Sequence, residues 1–405
     1  MPTVALVAAE LFPVPPIRGG AAELFIEQVA ARLPGWRAVV ICRGDPELAA
    51  REEKGAVTYI RVPLSDWRFR LYQRYRGLLP FYDRLVHEVI QEVAPDLVHV
   101  HNRPLLAGYL QDHLQGRLPV LLHLHNLYES LGKRERPPVG TPIPMAACLA
   151  CSRFVLERER QRLGRGARSH FVVYNGVDPQ VFPCRWQTPE MGRRVRRRYG
   201  LDQEPVVLFV GKVRESKGVG VLLQAMTRVW QHLPQAVLLL AGGTEYGRGR
   251  TDRATPFYHR LQEQIQQAAG RVIMTGFIPP QEIAAVYQTG DVFVGPSQVE
   301  EGLGIVFLEA SASGLPIIAT RRGGIPEIVR PGETGLLLQQ HADAQELAEL
   351  IRQLLSEPAR RQRLGRQGCR WVREHFTWEH IAGRLAEVYA AVLAQGAAPG
   401  AGGGV

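Results

Sequence analysis

Two glutamates in the last third of this 405-residue chain are the first residues whose type and spacing point to chemistry. Glu301 and Glu309 stand with seven residues between them, the first in a Gly-containing loop and the second about two turns further along. Such a pair of carboxylates can reach opposite ends of one ligand. Around them Gly302, Gly304, Gly323 and Gly324 open backbone amides at two helix starts. Unpaired N–H groups and the helix macrodipole there favour an anion such as a diphosphate. Upstream, the polar loop GKVRESKG carries Lys212, Arg214 and Lys217. Four histidines also come in pairs, His99 with His101 and His123 with His125, and alternation along a strand sets each pair on one face.

The elements that must position these groups alternate between strand and helix. DVFVGP and GLPIIAT read as short buried strands, each running through a Gly-rich loop into a helix. VVLFVGK and AVLLLAGG continue that rhythm upstream, which predicts a parallel α/β unit with ligands at the carboxyl ends of its strands. Near the N-terminus, TVALVA predicts a buried strand, and the loop after it carries Gly19 and Gly20 into a helix with Leu24, Phe25, Val29 and Leu33 at helical spacing. Gly there lets backbone approach a phosphate at a helix start. MAACLA predicts another strand, followed by Ser152 as the N-cap of a helix.

The stretch EGLGIVFLE, continued by ASASGLPIIAT, GGIPEIV and TGLLL, resembles the signature of glycosyltransferase family 4. These are retaining group 1 enzymes of the glycogen-synthase and mannosyltransferase kind. The resemblance implies a GT-B fold of class α/β, with two Rossmann-like parallel-sheet domains facing across a cleft. It implies an N-terminal acceptor domain at 1–185, a C-terminal donor domain at 200–377, a helix at about 378–395 returning to the first domain, and a tail at 396–405. Glu301 would face the donor-sugar hydroxyls, Glu309 the ribose, His125 the donor sugar, and Lys217 the diphosphate. A donor-binding set of Gly19, Gly20, Lys212, Arg214, Lys217, Ile278, Glu301, Leu303, Gly304, Ile305, Val306 and Glu309 follows. His99 and Asn126 are weaker candidates. The family has Arg where this chain has Lys212, so the charge is kept and the planar fork is lost. Glu23 is one residue out of register with a family glutamate and receives no role.

The implied reaction moves a hexosyl group from a nucleotide-diphosphate sugar such as a UDP-sugar to a glycan, lipid or cell-envelope or spore-coat polysaccharide. The alternatives are a sugar-nucleotide epimerase and a non-catalytic basic binding protein. The resemblance needs neither metal nor cofactor, and the Cys148-x-x-Cys151 pair lacks the further ligands of a zinc site. Length predicts two domains, and 45% apolar with 22% charged residues predicts an ordinary globular chain. With no long apolar run and five scattered cysteines, a cytoplasmic protein without a disulfide framework is expected.

A net charge of +10 attracts phosphorylated donors, anionic lipid or nucleic acid alike. The run RRVRRRYG is expected to be solvated, with no nucleic acid as partner. The segment around Trp67, Phe69, Tyr72 and Tyr75, interleaved with arginines, suits peripheral contact with an anionic membrane or an acceptor. A surface helix with snorkelling arginines is the simpler reading. The Gly/Ala-rich tail is expected to be disordered.

Overall fold

The computed structural model describes residues 1–75, 81–127, 129, 142–162, 166–244, 255–339 and 343–397. The chain divides into two units, Met1–Asn175 with Trp378–Val405, and Gly176–Thr377.

The first unit is built on eight strands: β1 (Thr3–Val7), β2 (Arg37–Arg43), β3 (Arg51–Lys54), β4 (Val57–Val62), β5 (Leu97–His101), β6 (Val120–Leu124), β7 (Met145–Ala150) and β8 (Ala167–Val172). Their order is β3-β4-β2-β1-β5-β6-β7-β8, all parallel except β3, which runs antiparallel to β4 at the edge. β1, β5 and β6 are almost wholly buried, which explains their near-continuous apolar sequences, since helices cover both faces of a parallel sheet. The helices Ala21–Ala30 and Trp378–Ala397 pack together, and Phe25 meets Trp378 with ring centroids 6.0 Å apart. Ser152 caps the helix Arg153–Arg162 as expected, its hydroxyl accepting from Val155 N–H at 3.1 Å.

The second unit carries β9 (Val206–Val210), β10 (Val237–Ala241), β11 (Arg271–Met274), β12 (Val292–Gly295), β13 (Ile317–Thr320) and β14 (Gly335–Leu338), ordered β11-β10-β9-β12-β13-β14 and wholly parallel. Its central strand, VVLFV, is buried at every position; each such side chain contributes about 1.5–3 kcal/mol by leaving water. The helix Val219–Trp230 presents Leu222, Leu223, Met226 and Val229 to the same core as Leu347, Ile351 and Leu354 of the helix Ala344–Ser356.

Three sequence expectations are corrected. The boundary falls at Asn175/Gly176, before residue 185, because Val177 N–H donates to Phe376 O at 2.8 Å and bridges Thr377, tying that segment to the second unit. The run RRVRRRYG is not wholly solvated: Arg196, on the helix Pro189–Arg198, is buried and donates to Asp202 O, Thr289 O and Asp291 Oδ2. Cys184 and Cys369 form a disulfide, with Cα atoms 6.3 Å apart, while Cys42, Cys148 and Cys151 are free and buried. The inference of a reducing compartment from scattered cysteines therefore loses its support. The last helix runs from Trp378 to Ala397, and residues 398–405 of the expected tail lie outside the described residues.

Candidate active site

In each sheet the strand order reverses beside its first strand, between β1 and β5 and again between β9 and β12. Crevices at such switch points, outside the carboxyl ends of the strands, are where open α/β sheets take ligands.

In the second unit that crevice collects the expected charges. After β9 the chain turns at Gly211, passes Lys212 and Arg214, and makes a short 3₁₀ turn, Glu215–Lys217. Lys217 Nζ donates to Glu301 Oε1 at 2.6 Å, and Ser297 Oγ donates to the same oxygen at 2.6 Å. Glu301 and Lys217 retain 15% and 35% of their side-chain exposure, so the pair is screened but reachable.

Two glycines enforce the approach. Gly218 has φ +75°, and a Cβ there would meet Pro296 O at 1.9 Å, so the lysine loop lies directly on the segment leaving β12. Gln298 N–H fastens it by donating to Ser216 O at 2.8 Å. Gly323 has φ +59°, and its Cβ would meet Glu301 O at 2.0 Å, while Gly324 N–H donates to that carbonyl at 2.9 Å. Only glycine tolerates both the positive φ and the close backbone.

Leu303 is buried, and Gly304, in the left-handed region, caps the helix Ile305–Ala312. Ile305 and Val306 are its first residues, where N–H groups lack intrahelical acceptors. Glu309 sits in the second turn of that helix, and the buried Tyr287 hydroxyl donates to its Oε2 at 2.7 Å. Burial raises the Glu309 pKa to about 7, partly offset by that hydrogen bond. Lys212 is half-buried, whereas Arg214 is exposed and donates through Nε to Thr244 O at 3.3 Å. Ile278 follows β11 and is half-buried.

In the first unit, Gly19 and Gly20, both at positive φ, lead into the helix Ala21–Ala30, with the Glu23 carboxylate against Gly20. Glu23 is itself buried, and burial raises its pKa to about 7. His125 follows β6 and both its ring nitrogens are engaged: Nε2 with His101 Nδ1 at 2.9 Å and Nδ1 with Asn175 Oδ1 at 3.3 Å. Its backbone N–H donates to Asn102 Oδ1 at 2.7 Å, so Asn102 and Asn175 both hold it. Burial lowers its pKa to about 4, which keeps the ring neutral near pH 7. Sequence reasoning missed Ser297 and Tyr287, which orient the two glutamates, and the buried ion triad in which Arg103 pairs with Glu10 and Asp83. Arg103, two residues after the end of β5, was the available signal.

A model of the glycosyl transferases group 1 matches residues 193–371, and a model of glycosyltransferase family 4 matches residues 22–181. Spore coat protein SA of Bacillus subtilis (strain 168) is 30% identical across 95% of this chain and 98% of its own length. The chain belongs to the family 4, group 1 glycosyltransferases. The GT-B architecture agrees: sucrose-phosphate synthase from Thermosynechococcus elongatus superposes with a TM-score of 0.77 at 24% identity, over 98% of this chain and all of the other. Anabaena Alr3699/HepE in complex with UDP and glucose gives 0.74 at 21% identity, over 96% and 99%. The family selects the transferase over the epimerase and the non-catalytic binding protein.

Proposed function

We propose that this glycosyltransferase is retaining and moves a hexosyl group from a nucleotide-diphosphate sugar to a glycan, lipid or cell-envelope polysaccharide acceptor. The observation that carries the reading is the Lys217–Glu301–Ser297 cluster, held across the β9/β12 switch point beside a helix N-terminus. In it a carboxylate is poised for sugar hydroxyls and an ammonium for phosphate. Glu309, with one oxygen taken by Tyr287, offers the other to a ribose diol. As the diphosphate leaves, Lys217, Lys212 and the amides at Gly304–Val306 oppose its growing charge, so the transfer itself runs without a metal. The UDP and glucose held by Alr3699/HepE support a nucleotide-sugar donor here. Neutral His125 lies toward the donor sugar in this reading, which requires it to exchange one of its two ring hydrogen bonds.

The test is a thermal-shift panel of UDP-, GDP- and ADP-sugars. The true donor at a hundredfold its Kd stabilises the protein by about 2.7 kcal/mol, and no response to any of them overturns the reading. Product of inverted anomeric configuration would overturn retention, and turnover that depends on added magnesium or manganese would overturn metal-free transfer.

No helix among the described residues is long and apolar enough to cross a membrane. The reading keeps the enzyme cytoplasmic, with the helix Asp66–Arg74 and its exposed Trp67 as the contact with an anionic membrane face. Alkylation of Cys184 and Cys369 before lysis tests the compartment, since a reducing one leaves both thiols open to reagent.

A further inference from the structure

The first unit contains a set of polar atoms that its own chain leaves unanswered. His99 and His101 of β5 and His123 of β6 have no exposed surface. Register causes their meeting: His101 lies directly opposite His123, and His99 precedes His101 by two residues on the same face. One ring nitrogen from each lies within 4.8 Å of the others. His99 Nε2, His101 Nε2 and both ring nitrogens of His123 have no hydrogen-bond partner, whereas buried polar atoms nearly always have one. The backbone of Val173 faces His123 without reaching hydrogen-bond geometry.

The opposite edges of two of these rings are anchored. His99 Nδ1 meets the Tyr389 hydroxyl at 2.6 Å, and His101 Nδ1 meets His125 Nε2 at 2.9 Å. Asn175 Oδ1 accepts from His125 Nδ1–H, so His125 Nε2 carries a lone pair and accepts from His101 Nδ1–H. That order of protons assigns a bare lone pair to His101 Nε2, which has no hydrogen-bond partner. Imidazoles that bind metals have this pattern, with one nitrogen on the ion and the other holding a polar partner.

We propose that His99, His101 and His123 form a three-histidine site for a borderline first-row transition-metal ion of the zinc class. Burial keeps all three rings neutral, the form that ligates. Bonds of about 2.0–2.1 Å require the nitrogens to close to roughly 3.3 Å, a movement supplied by rotation about the side-chain torsions. An all-imidazole set selects zinc, copper or nickel and gives magnesium or calcium none of their oxygen ligands. Phe25 packs on His123 and His101 at 4.9 and 5.7 Å, so an aromatic ring lies against two of the three ligands. By fixing the His101 proton on Nδ1, the ion also fixes which tautomer of His125 is held.

The experiment uses full-length protein expressed in zinc-supplemented medium and dialysed against a weak chelator. About one equivalent of zinc by elemental analysis is expected, with a thermal midpoint that falls when a strong chelator strips the ion and returns with zinc. His101→Gln and His123→Gln should each weaken zinc at least tenfold in competition with a chromophoric chelator. His113→Gln should leave it unchanged; that residue pairs with His87 outside the cluster, ring centroids 5.6 Å apart, and is the adventitious alternative. Should the cluster variants fail to fold, X-ray absorption of cobalt-loaded wild type decides, with imidazole-only protein ligands expected. Less than half an equivalent in the wild type, oxygen-dominated ligation, or an equivalent lost with His113→Gln overturns the proposal.

Discussion

The two units reverse strand order at corresponding places, yet they surround the two crevices with opposite kinds of polar group. In the second unit the groups are charged, partly open to water and paired with one another: Lys217 with Glu301, and Glu301 with Ser297. In the first they are neutral imidazoles shut away from water, together with a buried ion triad, Glu10–Arg103–Asp83. An ion pair near solvent exchanges partners at small cost, because water stabilises either side while a ligand arrives. A buried triad does not exchange, since removing one member strands a charge in low dielectric. The contrast sets exchangeable charge in the second unit against fixed polar architecture in the first.

The strongest way to break this comparison is to remove the exchangeable pair. Glu301→Gln and Lys217→Ala should each lower kcat/KM at least a hundredfold with little change in nucleoside affinity, as expected for groups acting on developing charge. Equal losses in nucleoside binding and turnover would mean that the pair holds the ligand and not the transition state.

Glu309→Ala should weaken nucleotide binding by about 1.5–3 kcal/mol, because it deletes a charged acceptor for the ribose hydroxyls. Its raised pKa gives a sharper version. Below about pH 7 the free site is protonated and must shed that proton to accept from the diol, so affinity rises roughly tenfold per pH unit up to about 7 and then levels. Calorimetry across that range should flatten in Glu309→Gln, and a wild-type affinity indifferent to pH would detach the ribose from this carboxylate.

A smaller effect separates Lys212 from Arg214. Lys212→Ala should cost at least tenfold in kcat/KM, about 1.4 kcal/mol, whereas Arg214→Ala should cost less, because Arg214 is exposed and spends its Nε on a backbone carbonyl. Lys212→Arg should be tolerated, since the fork supplies the bidentate geometry that lysine lacks. Steady-state kinetics of the three variants decide, and the reverse order would move the phosphate clamp to Arg214.

The parallel strands, their loops and the positions of both glutamates were readable because each rests on local signals: buried β-branched runs, Gly at positive φ, and helical spacing. The partners that set each glutamate's chemistry were not readable. Tyr287 is 22 residues from Glu309 and Lys217 is 84 from Glu301, and the contacts arise only when strands far apart in the chain become neighbours. The Cys184–Cys369 link, 185 residues apart, was hidden for the same reason. Alternation placed each histidine pair on one face, but bringing the pairs together needed the β5–β6 register.

The second unit is one uninterrupted stretch, whereas the first needs both ends of the chain: Trp378 packs on Phe25, and Tyr389 holds His99. A ribosome making this protein therefore delivers the opening 175 residues long before the helix that completes their core. Chains usually fold N-terminal part first during synthesis, but the split first unit predicts that here the continuous middle closes ahead of the beginning. On a nascent chain halted before Trp378, limited proteolysis should cut the first 175 residues and spare the middle, and the opposite pattern would show that the opening stretch is stable without its last helix.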